Sequence, residues 1–109
     1  MAQTLTQNNP HGIAAFAQGS ITGTYTAADV TLTLGFKPKY FKVVNVTDRL
    51  TPEWFAGMNK GDFLETVAAG TRTLETDDKL VVNDDGTVNL VANGGIITDN
   101  DTVVWVAFG

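Results

Sequence analysis

A chain of 109 residues, 43% of them apolar, is sized for one globular domain, and its bias towards Thr, Val, Gly and Asn favours strands and turns over helices. With no cysteine, disulfides, thiolate metal sites and cysteine nucleophiles are excluded. The net charge of −5 argues against phosphate backbones and anionic lipid as partners, so neither nucleic acid nor a membrane is expected.

The first charged residue is Asp29. The neutral segment before it carries Gln3, Gln7, Asn8 and Asn9, then an apolar patch from Ile13 to Ala17. Disordered tails usually stay soluble through charge, so a neutral segment ending in an apolar patch reads as an arm over residues 1–19 that docks on a neighbouring subunit. The competing reading is a tail whose last part packs on its own domain. No basic stretch precedes an apolar run, so no secretory signal is expected.

From residue 20 to residue 109 the pattern is that of a β-domain. Ile21 to Thr26 reads as a first strand, and Val30, Leu32 and Leu34 alternate with Thr31 and Thr33 as a second. Gly35-Phe36-Lys37-Pro38 interrupts the alternation. Tyr40 to Thr47 follows, apolar on both faces, as a central strand or an interface strand would be. A turn over Asp48 to Pro52 leads to a strand from Glu53 to Met58. Asp62 to Ala69 fits either a short capped helix or one arm of a hairpin turning at Ala69-Gly70; the β-branched Thr66 and Val67 favour the hairpin. Leu80 to Val82 and Val88 to Val91 flank Asp85-Gly86, a strong hairpin signal. Asn93-Gly94-Gly95 is a turn, Ile96-Ile97 a short strand, and Asp99 to Asp101 another turn. Thr102 to Phe108 ends the chain, again apolar on both faces. About eight short strands with frequent turns predict an all-β, single-domain sandwich or jelly-roll-like fold, with the extended N-terminal arm and at most one short helix.

Little in this chain points to catalysis. His11 is the one histidine and Ser20 the one serine, and a hydrolytic triad would need both held on rigid elements. The acidic pairs Asp77-Asp78, Asp84-Asp85 and Asp99/Asp101 stand beside Asn or Gly, where Asp bonds its own backbone in turns. They lack the ligand order of a calcium-binding loop, and no phosphate-binding loop occurs. Asn45-Val46-Thr47 matches a glycosylation sequon and is read as chance. The expectation is a protein without catalytic site, cofactor or metal. What remains is apolar surplus. Trp54, Phe55 and Met58 lie near a turn, as aromatic anchors do at interfaces. If Trp54 alternates inward as core, Phe55 turns outward; Trp105 is expected in the core. The partner-binding candidates are Ile13 and Phe16 in the arm, and Phe55 and Met58 on the domain.

Three stretches resemble small virion proteins of tailed bacteriophages. Gly35-Phe36-Lys37-Pro38-Lys39-Tyr40 running into Val43-Val44-Asn45-Val46-Thr47-Asp48 is similar to their G-F-x-P, strand, N-x-T-[DN] segment. Glu53-Trp54-Phe55-Ala56-Gly57-Met58 is similar to an E-W-x-x-G-M that often follows it, and Val67 to Leu74 and Trp105 to Phe108 are similar too. The resemblance covers residues 30 to 109. It implies a capsid decoration (cement) protein on the virion surface, assembled in the host cytoplasm and bound to the major capsid protein. It further implies a homo-oligomer, a dimer or a trimer, without enzymatic activity. The alternative it allows is a tail or tail-fibre β-domain that binds a host receptor or carbohydrate, with Trp54 or Tyr40 stacking on sugar.

Overall fold

The computed structural model describes residues 15–22, 29–91, 96–98 and 100–109. They form a β-sandwich of two antiparallel sheets, with no helix among the described residues. The larger sheet has six strands in the order β1 (Phe16–Ile21), β9 (Val103–Phe108), β3 (Tyr40–Asn45), β4 (Thr51–Phe55), β5 (Phe63–Thr66) and β6 (Arg72–Glu75). The smaller sheet has three, in the order β2 (Val30–Thr33), β8 (Thr87–Leu90) and β7 (Leu80–Val82).

Alternation along the strands makes the core. From the larger sheet Phe41, Val43, Trp54, Phe63, Val103 and Ala107 point inward, and all are buried. Leu80, Val82, Val88 and Leu90 meet them from the smaller sheet. Ile96 and Ile97, expected as a short strand, lie outside the nine strands but are wholly buried in the same cluster. Trp54 is core, and its indole Nε1–H donates to the Asn59 carbonyl at 3.0 Å, so burial leaves no polar atom unpaired. Trp105 is only partly buried and packs against the core from β9.

The ambiguous stretch at 62–69 is strand. β5 and β6 form a hairpin whose three-residue loop, Ala68-Ala69-Gly70, closes with Gly70 N–H donating to Val67 O at 2.8 Å and Val67 N–H to Thr71 O at 3.0 Å. Asn83 to Thr87 repeats the form, Asn83 N–H donating to Thr87 O at 2.9 Å, so Asp85-Gly86 belongs to a three-residue loop rather than a two-residue one. Gly70 (φ 91°) and Gly86 (φ 85°) occupy the left-handed last position of their loops. Gly86 is doubly constrained, because a Cβ there would meet the Phe36 backbone N and O at 3.1 Å. That contact, with Leu34 N–H donating to Gly86 O at 2.8 Å, seats the Gly35-Phe36-Lys37-Pro38 break against the hairpin loop.

Two expectations are corrected. Phe16 to Gly19, assigned to the arm over residues 1–19, belong to β1, which pairs with β9 over six residues; the expected first strand from Ile21 to Thr26 shares only Ile21 with it, and residues 23–26 lie outside the described residues. Of the apolar patch from Ile13 to Ala17, Phe16 and Ala17 open β1, Phe16 facing outward and Ala17 towards the core side, while Ile13 and Ala14 lie outside the described residues. The turn placed at 48–52 instead spans 46–49, and Pro52 sits within β4. Pro52 is accommodated because β3 and β4 are paired at Tyr40 to Lys42, opened at Val43, and joined again at the Asn45–Leu50 bridge.

Candidate functional site

The outer face of the larger sheet is built by the residues that alternate away from the core. One cross-strand row is aromatic throughout. Register places Phe16 opposite Phe108, Phe108 opposite Tyr40, and Tyr40 opposite Phe55, so four rings stand side by side on β1, β9, β3 and β4. Ring centroids are 5.2 Å apart for Phe16–Phe108, 6.2 Å for Phe108–Tyr40 and 4.9 Å for Tyr40–Phe55, all tilted. These separations are favourable aromatic geometry, yet the row is open to solvent: Phe16 is 56% exposed, and Phe55 and Phe108 are each 42% exposed. Val104 on β9 and Leu74 on β6 extend the exposed apolar surface on the same face. A shallow groove of about 440 Å³ continues it from the aromatic row, walled by Gln18, Ser20, Lys42, Val44, Val104 and Val106. On the opposite, core-facing side of the same strands the Trp105 indole packs against Gly19, where a Cβ would come within 2.8 Å of it. Only glycine lets β1 and the indole approach so closely.

The charged side chains on this face are Lys42, Glu53 and Arg72, and two of them are spent on each other. Arg72 pairs with Glu53 Oε1, and Tyr40 Oη donates to Glu53 Oε2 at 2.6 Å. Partial burial, and then this bond to a carboxylate, push the Tyr40 phenol up to about 12. The network fixes the Tyr40 ring in the row from its polar end. The acidic turns lie elsewhere: Asp85 Oδ1 accepts the Thr87 hydroxyl at 2.6 Å and the Thr87 amide at 3.1 Å, which lower its carboxyl below the usual range. Turn chemistry, as expected, accounts for that residue. Asp99 is outside the described residues, and among the described residues no cluster of three or more His, Asp or Glu is placed to hold a metal.

Of the sequence-predicted partner-binding residues, Phe16 and Phe55 stand at the two ends of the aromatic row. Met58 does not join them; it is half-buried against the core, its Sδ accepting the Phe55 amide at 3.4 Å. Ile13 lies outside the described residues, as does His11. Sequence reasoning missed Phe108 and the row itself. The available signal was that Tyr40–Asn45 and Val103–Phe108 are apolar on both faces, which neighbouring central strands with one covered and one open face would produce.

A second polar feature lies at the far end of β3. Asn45 is fully buried; its Nδ2 donates to the Ile96 carbonyl and to Asp101 Oδ2, both at 2.9 Å, and its Oδ1 accepts the Asp48 amide at 3.0 Å. Asp101 is itself buried, and a hydrogen bond it shares with the Asp48 carboxyl raises the latter. With its amide consumed inside the fold, Asn45 offers no acceptor for a glycan. The group is a structural clasp between the β3–β4 turn and the segment entering β9.

No family model, curated protein or solved structure matches the chain.

Proposed function

We propose that the chain is a structural protein of a tailed-bacteriophage virion, a head decoration (cement) protein that binds the outside of the capsid lattice. The observation that carries this reading is the exposed aromatic row on the larger sheet. A contiguous apolar face is a liability on a free monomer and becomes useful when a second surface covers it. Aromatic residues are the side chains most enriched where one protein anchors on another. Phe16, Phe108, Tyr40 and Phe55 would meet the major capsid protein, with the adjoining groove taking a protruding side chain. An acidic chain is repelled by packaged DNA, which favours the outer surface of the shell. Affinity for the assembled lattice but not for free subunits stabilises the lattice by linkage, and many equivalent sites let each contact be weak.

The test is co-sedimentation of the purified chain with undecorated, expanded capsids. Binding should saturate at a fixed number of copies per shell. Phe55→Ser and Phe108→Ser should each weaken it at least about tenfold, which is about 1.4 kcal/mol, while Thr31→Ser, on the smaller sheet, should not. Absence of capsid binding together with saturable binding to host cells or glycans would replace this reading with the tail-fibre one. Tyr40 on the open face supports that alternative; Trp54, the other sugar-stacking candidate, is buried.

A further inference from the structure

β1 is an edge strand, and among the described residues no strand pairs with its outer side. Its six residues, Phe-Ala-Gln-Gly-Ser-Ile, contain no charge and no proline, and it holds one unbroken register along β9 without a bulge. Natural edges are usually guarded by one of those devices. The other edges of this sandwich are guarded or short. β6 carries Arg72 and Glu75 in four residues. β7 is three residues long, and its Val82 amide is already taken by the Lys60 carbonyl at 2.8 Å. β2 is four residues long and begins directly after Asp29.

The backbone parity of β1 decides what it can pair with. Gly109 N–H donates to Ala15 O at 2.8 Å, in line with the β1–β9 register, so Ala15, Ala17, Gly19 and Ile21 turn their amides and carbonyls towards β9. The backbone groups of Phe16, Gln18 and Ser20 therefore face away from the sheet. An antiparallel partner must offer groups of the same parity. β1 offers them to itself: aligned on a two-fold axis through Gln18, Phe16 meets the partner's Ser20, Gln18 meets the partner's Gln18, and Ser20 meets the partner's Phe16. Charge selects the same partner. Two copies of a chain at −5 repel each other, and β1, within the neutral first 28 residues, is an edge along which they can approach without opposing like charges.

We propose that two copies of this chain associate through β1, edge to edge and antiparallel about Gln18, to make one continuous twelve-stranded sheet. The interface is isologous, as in most two-fold dimers. Because both outer faces then lie on the same side of the joined sheet, the dimer presents two aromatic rows in one surface. The pairing does not depend on what that surface binds.

Light scattering on the full chain should give twice the 11.6 kDa chain mass. Gln18→Lys sets two ammonium groups against each other on the axis, and Gln18→Pro removes an amide that faces away from β9, so the internal ladder is left in place. Both variants should run at the single-chain mass with an unchanged circular dichroism spectrum, while Thr73→Lys on the β6 edge stays dimeric. In the wild type, the amides of Phe16, Gln18 and Ser20 should exchange slowly with solvent and lose that protection on dilution. A wild-type monomer, a trimer, or a dimer that survives both Gln18 substitutions overturns the proposal. So does protection of those three amides that is independent of concentration, since the pairing would then lie within one chain. If a Gln18 variant fails to fold, the exchange measurement on the wild type decides alone.

Discussion

Replacing Asn45 with alanine tests whether the buried clasp holds the sandwich end together. The side chain makes three hydrogen bonds at 2.9 to 3.0 Å, two donated to Ile96 O and Asp101 Oδ2 and one accepted from the Asp48 amide. Two of these join neutral groups and are worth about 1 kcal/mol each; the bond to the carboxylate is worth about 1.5–3 kcal/mol. Asn45 is wholly buried and Asp101 is 7% exposed, so water reaches the orphaned partners poorly and the sum stands at about 3–5 kcal/mol. For a domain of this size that corresponds to a fall in melting temperature of roughly 15–25 °C. Urea unfolding followed by the fluorescence of Trp54 and Trp105 measures it directly. Asn89→Ala is the control: its side chain accepts an exposed hydrogen bond from Thr31 at 3.0 Å and should cost less than about 0.5 kcal/mol. A loss for Asn45→Ala within about 1 kcal/mol of wild type, or no larger than that of Asn89→Ala, would refute the assignment of the clasp as a stabilising element.

Three further outcomes follow from the same geometry. Deleting residues 1–19 removes Phe16 to Gly19, most of β1, uncovers Trp105 and opens the β9 edge; the truncated chain should melt well below a chain cut before Ala15, and equal melting temperatures would contradict the pairing of β1. Glu65 has its carboxyl raised above 4.5, first by burial and then by Glu75, so the unfolded chain ionises at lower pH than the folded one. That contribution weakens stability as the pH rises from about 4.5 through the raised folded value, and Glu65→Gln should be more stable at neutral pH and flatten that slope in urea titrations. Tyr40, pushed up to about 12 against an unfolded value of 10.0, contributes stability that is complete below 10.0 and lost as the pH climbs through about 12. An ultraviolet titration should resolve one late phenol that Glu53→Gln brings down only in part, since burial is the larger cause; a single phase near 10.0 for both tyrosines would count against the part-buried hydrogen bond to Glu53.

Much of the fold was legible because period-two alternation survives in the sequence wherever one face is covered. Val30–Thr33 and Thr87–Leu90 both carry it, and the inward turn of Trp54 with Phe55 outward follows from the same rule. The Asp62–Ala69 stretch was ambiguous because Asp62 and Glu65 mimic a helix cap; tertiary pairing with Arg72–Glu75 settles it as strand. Phe16–Ile21 was obscured for a different reason. Its inward residues are Ala17, Gly19 and Ile21, two of them too small to register as a core face, because Trp105 fills the space above Gly19. Apolar residues on both faces of Tyr40–Asn45 and Val103–Phe108 hinted at an open apolar face, but the row itself was not legible: its members stand at 16, 40, 55 and 108, and only the strand order β1-β9-β3-β4 makes them neighbours.

The division of labour among these residues bears on what the sequence motifs mean. Gly35 to Pro38 seats the Asp84–Gly86 loop, Asn45 to Asp48 forms the clasp with Asp101, and in Glu53-Trp54 the glutamate holds Tyr40 and Arg72 while the indole fills the core. Each is consumed in closing the sandwich or in ordering one side chain upon it, so each speaks to fold before it speaks to partner. The surface that could distinguish one partner from another is built from positions that no motif specifies. Its continuity rests on register: a slip of one residue between β9 and β3 would turn Phe108 inward and break the row between Phe16 and Tyr40. Because Phe16 stands on the same edge strand through which we propose that two copies join, a lesion in β1 that leaves the chain folded should weaken both the dimer and the face it presents. A substitution at Phe55, three strands from that edge, should affect the face alone.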